Sequence, residues 1–295
     1  MSLILDSLYL GSVDQGSSPD YLTARGVTHV LTIDIYPVEP KADVITYKFV
    51  KAYDHPDCDL LSFFDECIDF IDDALSKDGK VFVHCHFGVS RSATIVAAYL
   101  MRTYRLSMDD ALVKLGEKRL VNPNSGFLQQ LLLYQKMECK VDKRDAEYRE
   151  YVLKKIAISP KNVVIPEEIL PEEDFELRPG ESALTDRRSV YRCRKCRKNL
   201  FTSDCLLKKH ESQSSSSHRC SDNLFICPLR WMLQHIQQQE GKILCPHCQA
   251  KLGAFRWAGE QCGCGQWVTP SFRVQLCKLD CQTVALKNSV PTEEN

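Results

Sequence analysis

Twelve residues, Val81-Phe-Val-His84-Cys85-His86-Phe87-Gly88-Val89-Ser90-Arg91-Ser92, followed by an apolar run from Ala93 to Met101, constrain this chain more than any other stretch. They read as a buried strand, a tight loop that opens on a cysteine, and a helix beginning near an arginine. A loop entering a helix turns its backbone N–H groups toward one spot, and the helix dipole makes that spot attract anions. Arg91 adds a planar guanidinium fork matched to phosphate. A cysteine at the rim of such a cradle has its thiolate stabilised over the thiol. That combination predicts a nucleophile directed at phosphate esters.

The surroundings predict the fold. Residues 3–10 and 29–34 read as short strands separated by Gly, Ser and Pro turn material, and 45–50 read as a third. From Leu60 to Ser76 the apolar positions follow helical spacing until Gly79 stops them, which makes Cys67 a core residue. Ser107, with Asp110 three residues on, caps another helix, and 127–137 form one more. The expected fold class is α/β, a central sheet flanked by helices, ending near residue 142 with the loop at the carboxyl end of a central strand. Residues 143–157 have helical potential. Residues 159–181 carry four prolines and an acidic cluster from Glu167 to Glu176, and read as a solvated linker. The expected divisions are therefore 1–142, an extension and linker over 143–186, a small, mostly β domain over 187–284, and a tail over 285–295.

Cysteine placement supplies the second constraint. Of 15 cysteines, four lie in the first half and eleven between Cys193 and Cys281. No signal peptide is evident, and the longest apolar runs are about half of what a membrane-spanning helix needs, so an intracellular chain without membrane contact is expected. In a reducing compartment a dense Cys/His cluster argues for metal. Cys193-Arg-Lys-Cys196 and Cys245-Pro-His-Cys248 are knuckles whose paired thiolates can grip one tetrahedral ion. Cys262-Gly-Cys264 offers half of a second site. His210 and Cys220 are the preferred other half, with His218, Cys205 and Cys227 as rivals. Cys277 and Cys281 read as unliganded, and His235 and His247 as surface or loop residues. A net charge of −1 gives no global pull toward nucleic acid. The local basic cluster Arg187 to Lys198, near Trp231, Phe255, Trp257 and Trp267, is compatible with an RNA partner. The alternative is that these aromatics fill a small metal-stapled core.

The order His-Cys, five residues, Arg resembles the cysteine-dependent phosphatases, and His-Cys-His-Phe-Gly-Val-Ser-Arg-Ser-Ala is similar to their dual-specificity branch. Leu8-Tyr9-Leu10-Gly11, Val27-Thr28-His29-Val30-Leu31 and Asn122-Pro123-Asn124-Ser125-Gly126-Phe127 extend the resemblance over residues 1–140. It implies that Cys85 attacks phosphorus in line and forms a cysteinyl-phosphate. The amides of His86, Phe87, Gly88, Val89, Ser90 and Arg91, with the Arg91 guanidinium, would hold the three equatorial oxygens. Ser92 would assist departure of the thiolate. The family places a general-acid Asp about thirty residues before the cysteine. Asp54, 31 residues before Cys85, is preferred over Asp57 and Asp59. His84 reads as a buried orienter of the loop rather than a proton carrier. The five intervening residues lack the lysines of phosphoinositide-directed relatives and the Asn of RNA-phosphatase relatives. A phosphoprotein substrate is implied, with phosphotyrosine and phosphoserine or phosphothreonine both admitted by a shallow cleft.

The cysteine-rich half, with Cys-Pro-His-Cys-Gln-Ala-Lys-Leu-Gly and Gly259-Glu-Gln-Cys262-Gly-Cys264-Gly-Gln-Trp267, resembles those family members that carry a C-terminal zinc-binding domain. That implies two structural zinc ions and, as an alternative task independent of catalysis, assembly of the large ribosomal subunit. The partner would then be a pre-ribosomal particle, ribosomal RNA or ribosomal protein, and the location nucleus and cytoplasm. The chain is expected to be a monomer. The resemblance departs over 203–227, where Cys205, Cys227 and the serine run do not fit.

Overall fold

The computed structural model describes residues 1–39, 42–158, 163–171, 188–207 and 222–284. Two units divide the chain, Met1–Asp145 and Ala146–Asn295. In chain order the first comprises β1 (Ser2–Leu5), β2 (Leu8–Ser12), α1 (Val13–Gly16), α2 (Pro19–Thr23), β3 (His29–Asp34), β4 (Thr46–Lys51), α3 (Phe64–Ser76), β5 (Val81–Cys85), α4 (Arg91–Tyr104), α5 (Met108–Gly116) and α6 (Ser125–Lys136). The sheet order is β1-β2-β5-β3-β4. Only the β1–β2 pair is antiparallel.

The apolar run Val81–Cys85 occupies the middle of this sheet with every residue buried, as a strand covered on both faces must be. Phe82 packs with Leu22, Val27, Val30 and Ile45. Helix α4 lies against β2, β3 and β5 and is flanked by α3, α5 and α6. Its residues Arg91 to Met101 are all buried, which accounts for the unbroken apolar run.

Three boundaries differ from the sequence expectation. Residues 3–10 are not one strand: Ser7 adopts a left-handed conformation (φ 70°), and the chain folds back so that Leu5 pairs with Leu8. Helix α3 starts at Phe64, after a 3₁₀ turn over Leu61–Phe63. Helix α6 starts at Ser125 because Asn124 caps it, accepting a 3.0 Å hydrogen bond from Phe127 N. The Ser107 cap is as expected, accepting from Asp110 N at 3.1 Å. Cys67 is a core thiol, and burial pushes its pKa up to about 12.

The second unit contains α7 (Ala146–Ile158), β6 (Arg188–Cys193), β7 (Asn199–Thr202), β8 (Asn223–Phe225), β9 (Glu240–Leu244), β10 (Lys251–Arg256), β11 (Glu260–Gln261), β12 (Trp267–Val268), β13 (Ser271–Gln275) and β14 (Leu279–Val284). They form an antiparallel three-stranded sheet β14-β6-β7, a four-stranded sheet β8-β13-β10-β9 and a small hairpin β11-β12. Trp257 is fully buried, stands edge-on to Phe272 and donates its indole N–H to Ile236 O at 2.8 Å. Phe255 stacks on Phe272, and Trp231 donates to Leu200 O at 3.1 Å. These aromatics therefore fill a core; Trp267, at 64% exposure, does not.

Two further expectations change here. The segment 163–171 is not a free tether, because Val163, Ile165, Ile169 and Leu170 are buried. The acidic residues beyond Pro171 lie outside the described residues. The basic cluster is partly neutralised, because Arg194 and Arg197 both pair with Asp280. Among the described residues, no helix is long and apolar enough to cross a membrane.

Candidate active site and metal centre

Cys85 ends β5 and is almost fully buried. Its Sγ accepts two hydrogen bonds of 3.2 Å, from Gly88 N and from Ser92 Oγ on the first turn of α4. Every carbonyl of the loop that follows is held from outside. His86 O accepts from Val13 N at 3.1 Å and Val89 O from Asn122 N at 2.9 Å. Phe87 O and Gly88 O accept from Arg119 at 2.9 and 2.8 Å. Ser90 O accepts from the Thr94 amide and hydroxyl, both at 2.9 Å. In a trans peptide the carbonyl and the next N–H point opposite ways, so anchoring the oxygens outward turns the amides of residues 87–91 inward. The loop is thus an anion cradle built by its neighbours as much as by its own sequence.

Gly88 makes the turn possible. Its φ is 69°, and a Cβ there would come within 2.2 Å of Gly11 O, so no side chain fits.

Arg91 is buried at the start of α4. Its Nη1 donates to Asp34 Oδ1 at 2.7 Å and to Ala52 O at 3.2 Å. Its Nε, also buried, has no hydrogen-bond partner among the described residues, which leaves it available to a phosphate oxygen. His84 bonds Thr32 Oγ1 at 2.9 Å through Nε2, lies 3.4 Å from Cys85 O through Nδ1, and stacks on Phe82. Burial pushes its pKa down to about 4. The imidazole is therefore neutral near pH 7 and holds the end of β5 in place.

Asp54 is the acid that reaches the loop. Its Oδ1 accepts from Ser90 Oγ at 2.7 Å and Asn124 Nδ2 at 2.9 Å, while Oδ2 lies 3.9 Å from Arg91 Nε. Its two competitors are engaged elsewhere. Asp57 pairs with His55 at 3.6 Å, and Asp59 Oδ1 accepts from Ser62 N. The Asp54 loop rests on α6. Gly126 approaches Pro56 so closely that a Cβ would sit 2.0 Å from Pro56 O. Buried Gln130 accepts from Leu60 N and Leu61 N at 2.8 and 2.9 Å and donates to Cys58 O at 2.8 Å.

Sequence reasoning missed Asp34, Arg119 and Gln130. None stands in a motif with Cys85 that marks its role, and each acts across 31 to 72 residues of chain. The assembled site can hold a tetrahedral oxyanion over a thiolate, with a carboxyl group beside it.

In the second unit the two knuckles share one backbone pattern. Cys193 N donates to Lys198 O and Arg197 N to Cys193 O; Cys245 N donates to Ala250 O and Gln249 N to Cys245 O. Arg197 and Gln249, each just after the second cysteine, have φ of 64° and 56°. The Sγ atoms of Cys193, Cys196, Cys245 and Cys248 all lie within 4.8 Å of one another, with Cys193–Cys248 at 3.7 Å and Cys196–Cys245 at 3.6 Å. A tetrahedron with zinc–sulfur bonds of about 2.3 Å has edges of about 3.8 Å, so the four thiols fit a zinc ion.

Only half of the expected second site lies within the described residues. Cys262 and Cys264 stand in the turn joining β11 to β12, where Cys262 N donates to Gln266 O at 2.7 Å. His210, His218 and Cys220 lie outside the described residues. Among the described residues the four-cysteine group is the only cluster of three or more such ligands, so neither Cys205 nor Cys227 joins Cys262 and Cys264. Cys277, Cys281, His235 and His247 are exposed and belong to no such cluster among the described residues.

The family described as "Dual specificity phosphatase, catalytic domain" matches residues 8–137. The chain is 36% identical to dual specificity protein phosphatase 12 of Homo sapiens, over 92% of this chain and 86% of the relative. It is 32% identical to tyrosine-protein phosphatase yvh1 of Schizosaccharomyces pombe, over 95% of this chain and 84% of that one. It is also 32% identical to tyrosine-protein phosphatase YVH1 of Saccharomyces cerevisiae, over 98% and 94%.

Proposed function

This chain belongs to the dual specificity phosphatases, in the branch of dual specificity protein phosphatase 12, and on that premise we propose that it hydrolyses phosphotyrosine and phosphoserine or phosphothreonine on proteins through a cysteinyl-phosphate. Cys85 Sγ attacks phosphorus in line, forming the S–P bond as the P–O bond to the leaving group breaks. The inward amides of the loop and the free Nε of Arg91 hold the three equatorial oxygens and the charge spread over them. Asp54 Oδ2, the carboxylate oxygen not taken by Ser90 or Asn124, carries the proton to the departing oxygen. Asp54 then takes a proton from water as water attacks phosphorus. The Ser92 hydroxyl, already 3.2 Å from Sγ, stabilises the thiolate as the S–P bond breaks.

The observation that carries this reading is the pair of donors on Cys85 Sγ at the floor of an amide cradle. The test is turnover of an aryl phosphate by Cys85→Ser, expected to be abolished; undiminished turnover overturns the assignment. Phosphotyrosyl and phosphothreonyl peptides should both be hydrolysed. A preference for phosphoinositides over both would overturn the substrate class.

For the second unit, the fitting set Cys193, Cys196, Cys245 and Cys248 supports one structural zinc. A second ion would take Cys262 and Cys264, with His210 and Cys220 from residues not described. Zinc here would supply only cross-linking of small sheets. The likeness to relatives runs through both units, over 92% of the chain, which supports a task for the second unit; the location that goes with this proposal is nucleus and cytoplasm. The reading for that task is assembly of the large ribosomal subunit. Complementation of a null cell discriminates: rescue by Cys85→Ser together with failure of residues 1–185 alone favours assembly, and the reverse favours catalysis.

A further inference from the structure

Leu206 and Ile226 form an isolated antiparallel bridge. It is bounded by Cys227 N donating to Cys205 O at 2.8 Å and Leu207 N donating to Phe225 O at 3.0 Å. One step out from the bridge, Cys205, the last residue of a 3₁₀ turn over Ser203–Cys205, faces Cys227 across that Cys227 N to Cys205 O bond. Opposed residues of this hydrogen-bonded kind have Cα atoms about 5.5 Å apart, inside the window of about 4.4–6.8 Å that a disulfide spans. The two thiols share a hydrogen bond. It is the largest cause of a pKa lowered to about 7 at Cys205 and raised well above the usual value at Cys227. Neither belongs to the four-cysteine cluster.

We infer that Cys205 and Cys227 are a redox-active dithiol that closes to a disulfide under a hydroperoxide and ties together the two sheets of the second unit. Cys205 follows β7 of the three-stranded sheet, and Cys227 follows β8 of the four-stranded sheet. The metal-ligating knuckles join the same two sheets, since Cys193 ends β6 and Cys245 follows β9. The thiol pair is thus a second link between them, made from sulfur alone.

The chemistry balances with hydrogen peroxide as oxidant. The Cys205 thiolate attacks one peroxide oxygen, the O–O bond breaks, and the released hydroxide takes up a proton to leave as water. The Cys205 sulfenic acid is then attacked by Cys227 sulfur; the S–S bond forms, the S–O bond breaks, and a second water leaves with the Cys227 proton. Two thiols are each oxidised by one electron, and one peroxide is reduced to two waters.

The test uses the full-length zinc-loaded protein, treated with hydrogen peroxide, blocked with a thiol reagent, digested and mapped. Expected are a peptide pair joining Cys205 to Cys227, about 2 Da lighter than the two thiol peptides, and an unchanged zinc content. Before oxidation, Cys205 should alkylate more than about tenfold faster than Cys227 at neutral pH. In chelator, the oxidised protein should keep a melting transition of the second unit about 5–10 °C above that of oxidised Cys205→Ser. Three results overturn the inference: both thiols free after peroxide has oxidised Cys85; Cys205 joined instead to a knuckle cysteine; or zinc content reduced in Cys205→Ser, which would make the pair metal ligands.

Discussion

Gln130 offers the sharpest check on how the Asp54 loop is positioned. Its amide holds Leu60 N, Leu61 N and Cys58 O, and the side chain is buried. Gln130→Leu keeps the volume but removes all three bonds. At about 1 kcal/mol net for each, with more where a buried N–H is left unpaired, the folded unit should lose about 3 kcal/mol. For a unit of this size that lowers the melting temperature by about 10 °C. The catalytic consequence should be selective. Asp54 matters most when the leaving group is poor, and general-acid catalysis contributes about 10²–10⁴ in rate. Loosening the loop should cut kcat/KM, which reports formation of the cysteinyl-phosphate, by about tenfold or more for phenyl phosphate and by less than about twofold for a dinitrophenyl phosphate. In an Asp54→Asn background the Gln130 substitution should add nothing further. An equal loss on both substrates, or full additivity with Asp54→Asn, would refute the claim that Gln130 acts through Asp54.

Other expectations follow from the same contacts. Arg119→Met frees two loop carbonyls, and kcat/KM on an aryl phosphate should fall by about tenfold, one bond of about 1.4 kcal/mol being enough for that; an unchanged value would show that the loop holds its shape alone. His84 titrates near 4 when folded, against 6.5 for a free histidine. Between those values the unfolded chain binds the extra proton, so stability is full above pH 6.5 and falls on acidification, by up to about 3 kcal/mol at pH 4. Urea titrations at pH 7 and 4.5 should show the drop, and His84→Gln should flatten it. Removing metal should lower the melting temperature of the second unit while aryl phosphatase activity persists; a melt insensitive to chelator would argue against zinc at Cys193, Cys196, Cys245 and Cys248.

Local sequence determined the parts of this protein whose physics is local. A strand, a glycine-centred loop and a helix start follow one another directly from Val81 to Met101. The chain therefore has little choice but to aim amides at one point beside Cys85. The same holds for the Cys-x-x-Cys knuckles, whose ligands are two residues apart and whose turns close on themselves through Cys193–Lys198 and Cys245–Ala250. Apolar spacing likewise marked α3, and a Ser/Asp pair marked the start of α5.

Tertiary structure decided whatever depends on chain segments meeting. Nothing near Asp34 marks it as the partner of Arg91, because the sheet brings them together across 57 residues. Arg119 orients the loop and Gln130 anchors the acid loop for the same reason. Spacing from Cys85 already favours Asp54 over Asp57 and Asp59; what the fold adds is that Asp54 is the carboxylate that meets Ser90 and Asn124. The hairpin at Asp6 and Ser7 turned on a left-handed residue inside an apolar pattern that reads equally well as one strand. Cys205 and Cys227 carry no motif; only the pairing of Leu206 with Ile226 sets them opposite each other. Sequence pattern reports the chemistry of neighbours along the chain, and these contacts are between neighbours that only folding creates.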